Sequence, residues 1–283
     1  MSQTKDRSKG NAKNKMEKTY TLSVIIITKN EEDRIETCLK SVAGIADEII
    51  VFDSGSTDKT VEIIKKYTEQ VFITDWPGFG PQKQRVLEKA SGSWVLSIDA
   101  DEALSPELIE EIPRVLEKNP REVMFRLPWA QIMFGKRLDY GRSARSIRRL
   151  FKREGARFSN AMVHETVITE KGETSTLKGR LIHYSIRDFE HLLHKNRSYS
   201  WLGSLQNFKK GKTGGGLWGA SFRSVWVFFQ IYIIRRGFLD GPVGFLIAAM
   251  FSQYSFNKYA GLWTLNREKR LNPGITDKTD DFQ

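Results

Sequence analysis

Short apolar runs, each closing on a polar turn, organise the first hundred residues of the chain. Leu22 to Ile27 is apolar and rich in β-branched side chains, the pattern of a strand buried on both faces of a parallel sheet. Ile35, Cys38, Leu39 and Val42 then recur at helical spacing. Glu31, Glu32 and Asp33 load the first turn with the negative charge that a helix N-terminus favours, and Asn30 stands where a cap is expected. A second strand, Glu48 to Phe52, ends in Asp53-Ser54-Gly55-Ser56-Thr57-Asp58, a tight turn into a helix predicted over Thr57 to Glu69. Val71 to Ile73, a helical stretch from about Gly80 to Ala90, and Trp94 to Ile98 continue the pattern. Strands alternating with helices predict an α/β fold with right-handed crossovers and helices on both faces of a mostly parallel sheet. Ligands then sit at the carboxyl ends of the strands, where Asp53, Asp99 and Asp101 fall.

The run Trp94-Val95-Leu96-Ser97-Ile98-Asp99-Ala100-Asp101-Glu102 carries the most chemistry, because an apolar strand delivers two carboxylates, one residue apart, to its exit. Oxygen ligands of this kind suit Mg or Mn, which are held by one or two carboxylates and completed by substrate phosphates. A nucleotide diphosphate is the natural third party. The plain alternative is that acids simply follow strands in turns.

Three motifs in order argue against that alternative. Thr28-Lys29-Asn30-Glu31-Glu32, then Asp53-Ser54-Gly55-Ser56-Thr57-Asp58, then Asp99-Ala100-Asp101-Glu102 resemble glycosyltransferase family 2. Val163-His164-Glu165, His183-Tyr184 and Gly237-Phe238-Leu239-Asp240-Gly241-Pro242 follow in an order similar to the bacterial lipopolysaccharide-core β-glucosyltransferase branch. The resemblance runs from about Thr21 to Trp263. It implies a GT-A fold, which is Rossmann-like, a nucleoside-diphosphate-sugar donor, a divalent metal and an inverting displacement at the anomeric carbon. It also implies roles: Thr28, Asn30, Glu31 and Asp53 line the nucleoside pocket, and Lys83 and Arg85 approach the base and diphosphate. Asp99 faces the ribose and metal, Asp101 ligates the metal directly, and His183 completes the metal site. Many relatives carry two consecutive acids where this chain has Asp53-Ser54, so this chain lacks the second acid that usually contacts the base, although a serine can still hydrogen-bond a uracil. Glu165 matches the family's catalytic carboxylate, the base on the acceptor hydroxyl. Its competing reading is an exposed strand-edge acid. His191 and His194, three apart on a predicted helix, lack a third ligand for zinc.

Composition suits a cytoplasmic enzyme. The chain has 283 residues, enough for one catalytic domain plus an appendage, and its single cysteine, Cys38, permits no internal disulfide. The net charge of +11 is uneven. From Lys136 to Arg157 nine basic residues stand against two acidic ones, and the first eighteen residues carry six against two. No nucleic-acid module accompanies these patches, so an anionic membrane surface or a phosphorylated glycolipid explains them better. Residues 1–18 read as a disordered basic tail without the apolar core of a signal peptide, and Met16 is an alternative start.

The expected organisation is a catalytic domain over 19–208, a Gly-rich hinge over 209–216 and a helical region over 217–283. In the last, Ser224 to Ile234 and Gly241 to Asn257 are uncharged, aromatic and shorter than the roughly twenty residues that span a bilayer. They predict a C-terminal helical, membrane-associating appendage lying in the interface, with an oligomer contact or a buried helix pair as the competing reading. Together these features predict a transferase, peripheral on the cytoplasmic side of the inner membrane. It moves a hexose, glucose from UDP-glucose, onto a lipopolysaccharide inner-core or related glycolipid acceptor. A GT-A-like nucleotidyltransferase is a second reading, but Thr28-Lys29-Asn30-Glu31 stands where its Gly-rich, Arg-containing loop belongs. A membrane-peripheral nucleotide- or carbohydrate-binding protein is a third, and it leaves Asp99, Asp101 and Glu165 together without a purpose. No feature of the chain specifies an oligomer.

Overall fold

Strands β1 (Leu22–Thr28), β2 (Glu48–Asp53), β3 (Val71–Ile73) and β4 (Trp94–Asp99) lie in the order β3-β2-β1-β4, all parallel, in a computed structural model that describes residues 19–141, 145–160 and 165–271. The expected tail over residues 1–18 and His164 lie outside the described residues. Every residue of β1 is buried, because side chains alternate between two covered faces. Helices α1 (Ile35–Val42), α2 (Thr60–Ile64) and α3 (Phe79–Leu87) connect the strands, and α4 (Pro106–Leu116) follows them. Leu22, Val24 and Ile26 pack with Ile35, Cys38 and Leu39 of α1 and with Leu108 and Ile112 of α4. Ile25 and Ile27 point the other way, onto Val86 and Leu87 of α3. Each such buried Leu or Ile contributes about 1.5–3 kcal/mol, so the layering of this half rests on the apolar runs themselves.

The other half of the sheet is mixed. It is built from β5 (Glu102–Leu104), β6 (Met124–Met133), β7 (Lys136–Leu138) and β8 (Ser146–Lys152), with β11 (Thr174–Thr176) and β12 (Leu181–His183) added later in the chain. A separate two-stranded ribbon joins β9 (Arg157–Phe158) to β10 (Val167–Ile168). β8 inserts antiparallel between β4 and β6, and β12 runs between β6 and β5. Register does the positioning. Thr28 pairs with Asp53 and Ile27 with Asp99, so three strand ends meet at one edge, while His183 pairs with Glu102.

Local contacts reset two expected helix starts. Asn30 does not cap α1; its φ is +53° and its Oδ1 accepts from Thr57 N at 2.9 Å, so it ties the loop after β1 to the loop after β2. That tie occupies Thr57, and the second helix begins at Thr60, whose N–H donates to Asp58 Oδ1 at 3.0 Å. The helix ends at Ile64 rather than Glu69, and Lys66 and Tyr67 close into turns.

Three long helices complete the chain. α5 (Phe189–Lys209) packs on α7 (Gly241–Leu271), with Asn196 Nδ2 donating to Met250 O at 2.7 Å and Ser204 Oγ to Lys258 O at 2.7 Å. α6 (Gly216–Phe229) continues through a π-helical turn, Gln230–Ile234, and packs antiparallel on the other side of α7. Gly211, Gly214, Gly215 and Gly216 hold positive φ in the turn from α5 to α6, which side-chain-bearing residues adopt only under strain. The helix from Gly216 to Ile234 is 19 residues long and meets the length and composition of a membrane span, although neither uncharged run in the sequence does. The difference lies in Arg223. Its guanidinium curls back to Gly214 O at 2.7 Å and Gly219 O at 3.0 Å, so the helix passes straight through the charge.

Candidate active site

The carboxyl ends of β1 and β4 open into a cleft of about 490 Å³ lined by Thr28, Glu31, Asp99, Asp101 and His183, with Trp76 and Phe79 as an aromatic wall. The two rings meet edge to face at 4.8 Å. Thr28 is buried and its Oγ1 finds no partner among the described residues. Asp53 is buried beside it but is committed to its own turn. Its Oδ1 accepts from Gly55 N at 3.0 Å and Ser56 N at 2.8 Å, and its Oδ2 accepts from the Ser56 hydroxyl. Ser54 Oγ accepts from Gln82 Nε2 at 3.1 Å, and the same amide donates to Thr74 at 2.6 Å.

Lys83 is the hinge of the site. Nearly all of its side chain is buried, and Nζ lies 2.8 Å from Asp99 Oδ1 and 2.7 Å from Glu165 Oε1. One ammonium therefore joins the exit of β4 to the candidate base. Asp99 is gripped on its other oxygen by Arg149 of β8, which also reaches Glu102 Oε1 at 2.8 Å. Glu102 closes the loop, accepting the Asp99 N–H on Oε2 at 2.9 Å. Burial alone would raise the Asp99 carboxyl, but Arg149 and Lys83 overcome it and hold it well below the ordinary carboxylate range. The same burial, with less compensation, raises Glu102.

Asp101 faces His183. The β12–β5 pairing and the Tyr184 N–H bond to Asp101 O at 2.8 Å bring His183 Nε2 to 3.2 Å from Asp101 Oδ2. Trp129 stacks on the imidazole at 4.4 Å and fixes its plane. Burial pushes the Asp101 carboxyl up, and His183 and Arg34 more than reverse it. Glu31 does not reach into this group, because Arg34 and Arg187 hold its carboxylate, and burial raises it.

The structure thus brings together Thr28, Lys83, Asp99, Asp101, Glu165 and His183. It leaves Asn30 as a loop bridge and sends Arg85 outward to Asp75 at 2.7 Å, because two residues turn a helix by about 200° from Lys83. Asp101 Oδ2 and His183 Nε2, 3.2 Å apart, are an oxygen and a nitrogen donor of the kinds that a Mg or Mn ion could take. Asp99 does not join them as a third donor while both its oxygens carry cations, and among the described residues no group of three His, Cys, Asp or Glu is gathered to hold a metal. Sequence reasoning missed Arg149, Arg34, Trp76 and Phe79. Arg149 stood inside a basic run that reads as solvated surface, and only its place beside Leu150 and Phe151 in an alternating strand hinted at burial.

The profile of glycosyl transferase family 2 matches residues 23–164, half of the chain. The chain belongs to glycosyltransferase family 2. Its fold is GT-A, and it is a glycosyltransferase. An uncharacterized glycosyltransferase of Rickettsia bellii is 33% identical over 266 residues, covering 88% of this chain and 88% of that protein. A Rickettsia typhi counterpart is 32% identical over 267 residues, covering 88% and 89%. The lipopolysaccharide core biosynthesis glycosyltransferase LpsC of Rhizobium meliloti is 28% identical over 267 residues, covering 90% of this chain and 96% of its own length.

Proposed function

We propose that this enzyme transfers a hexose, glucose from UDP-glucose, with inversion onto the inner core of lipopolysaccharide or a related glycolipid, working peripherally at the cytoplasmic face of the inner membrane. The observation that supports the chemistry is the Lys83 bridge, which joins Glu165, the proposed base, to Asp99, the proposed donor-side carboxylate. The acceptor class is supported by the likeness to LpsC over nearly the whole chain.

In this reading Trp76 and Phe79 flank the uracil, and Thr28 Oγ1 supplies a hydrogen bond to the nucleoside. Asp101 and His183 would hold a divalent ion, which would supply charge neutralisation for the departing diphosphate. Lys83 and Arg149 hold Asp99 at one position against the ribose, so the donor is not reoriented during reaction. The acceptor oxygen forms its bond to the anomeric carbon, the bond from that carbon to the diphosphate oxygen breaks with its electron pair leaving on UDP, and the hydroxyl proton passes to Glu165. Inversion requires Glu165 and the diphosphate on opposite faces of the sugar.

The test is a transfer assay with radiolabelled UDP-glucose, and with other UDP- and GDP-hexoses in parallel, on membranes carrying defined glycolipid cores. Label in the glycolipid from UDP-glucose alone is expected. Incorporation only from another donor refutes the donor assignment, and label appearing only in a soluble acceptor refutes the acceptor class.

A further inference from the structure

Among the described residues, no protein covers one face of α6. Trp218, Phe222, Val225, Trp226, Phe229 and Ile233 are all exposed, Trp218 by 89%, and at 100° per residue they fall within an arc of about 100°. Ala220, Ser224 and Ile231 stand on the opposite side and meet α7, where the Ser224 and Ser252 hydroxyls lie 2.8 Å apart. An exposed stripe of this size on a soluble helix marks a surface that something apolar covers.

Charge decides what that is. Between His191 and Arg267 there are ten lysines and arginines and one carboxylate, Asp240. That carboxylate is buried and accepts the backbone N–H groups of Asp139 and Tyr140 at 3.2 and 3.1 Å, so it offers no negative charge to a partner. Lys209, Lys210 and Lys212 are exposed before α6, and Arg236 is exposed after it. A second copy docked on this stripe would set basic ends near basic ends. An anionic lipid surface matches both the apolar stripe and the cations that flank it.

We infer that α6 lies in the plane of an anionic bilayer, its aromatic stripe inserted among the headgroups and its basic ends against lipid phosphate. The length of the helix permits crossing, but its packing opposes that. α6 runs antiparallel along α7, from Gly216 near Trp263 to Phe228 and Tyr232 against Phe245 at 5.7 and 5.6 Å. A spanning α6 would therefore draw Gln253, Asn257 and Lys258 of α7 into hydrocarbon with it. In-plane seating leaves them above the interface and gives Trp218 and Trp226 the depth that indole prefers.

This face lies outside the donor cleft, so UDP-glucose binding measured by calorimetry without vesicles reports on the cleft alone. The experiment is sedimentation of the full chain with phosphatidylcholine vesicles with and without phosphatidylglycerol, with tryptophan emission recorded in parallel. Binding only to the anionic vesicles is expected, with a blue-shifted emission that the Trp218→Phe variant diminishes. Raising the salt from about 0.1 M to about 1 M, which shortens the Debye length from about 10 Å to about 3 Å, should release the protein. The variant Trp218→Ser/Phe222→Ser/Phe229→Ser should bind at least about tenfold more weakly, a loss of about 1.4 kcal/mol, with unchanged melting and unchanged UDP-glucose binding. Protein that resists alkaline carbonate extraction would show a spanning helix and overturn the inference. So would protein that ignores the vesicles and forms a dimer that the triple variant dissociates.

Discussion

Replacing Lys83 by Met removes the one cation shared by Asp99 and Glu165 while keeping most of the side-chain volume. With Nζ at 2.8 and 2.7 Å from the two oxygens, those oxygens are at most about 5.5 Å apart. At an effective dielectric of about 20, two carboxylates at that distance repel by about 3 kcal/mol. Removing one partner of a buried ion pair costs about 3–5 kcal/mol. Asp99 keeps Arg149, and the Glu165 side chain retains some contact with solvent, so the expected loss is at the lower end, about 3 kcal/mol. For a chain of this size that is a fall in melting temperature of about 6–12 °C. Transfer should drop at least about a hundredfold, since the ammonium sets the distance between the candidate base and the donor side. Lys83→Arg retains the charge and should recover most of the stability. Differential scanning calorimetry at neutral pH reads the first effect and the transfer assay the second. A Lys83→Met protein that melts within about 2 °C of the wild type would refute the reasoning, because the carboxylates would then not depend on the bridge.

Asp101→Asn keeps the shape of the site and removes one of two proposed metal donors, so Mn titration followed by calorimetry should show affinity lost at least about tenfold, with melting lowered by the lost attraction of His183 and Arg34. Full turnover of this variant in EDTA would contradict the metal assignment. The Asp99 and Asp101 carboxyls both titrate below their ordinary value in the folded protein. Their stabilisation is therefore complete above the unfolded carboxyl value, about pH 4, and is lost as pH falls toward their depressed folded values. Urea unfolding at pH 7, 4 and 3 should show the midpoint dropping below pH 4, and a drop that is unchanged in Asp99→Asn would assign it to other groups.

The half of the fold that could be read from sequence is the half held by continuous apolar runs. β1, β2, β3 and β4 stand within a residue of their expected ends, because a strand buried on both faces announces itself without reference to its neighbours. The helix starts between them shifted because Asn30 spends its side chain on Thr57 across two loops, while Asp58 accepts from Glu32 N–H in the loop after β1 and from Thr60 N–H at the later start of α2. The site divides in the same way. Asp99 and Asp101 end or follow an apolar strand and were legible as a carboxylate pair, with Lys83, Glu165 and His183 reached only through the resemblance. Arg149 was not, since its partners Asp99 and Glu102 are about fifty residues away and meet it only because β8 inserts beside β4. The length of α6 was hidden for a related reason. Counting uncharged residues stops at Arg223, and only the folded chain shows that guanidinium turned back onto backbone carbonyls.

Glu165 is the proposed acceptor of the hydroxyl proton, at a donor site that it does not itself form. Glu165→Gln keeps the size of the side chain and its hydrogen bond to Lys83 but cannot accept the proton, so two readouts on one protein separate the roles. The expected result is UDP-glucose affinity within about threefold of the wild type by calorimetry, with label transfer to the glycolipid reduced by about 10²–10⁴-fold. Transfer at the wild-type rate, or donor affinity lost in proportion to transfer, would contradict it.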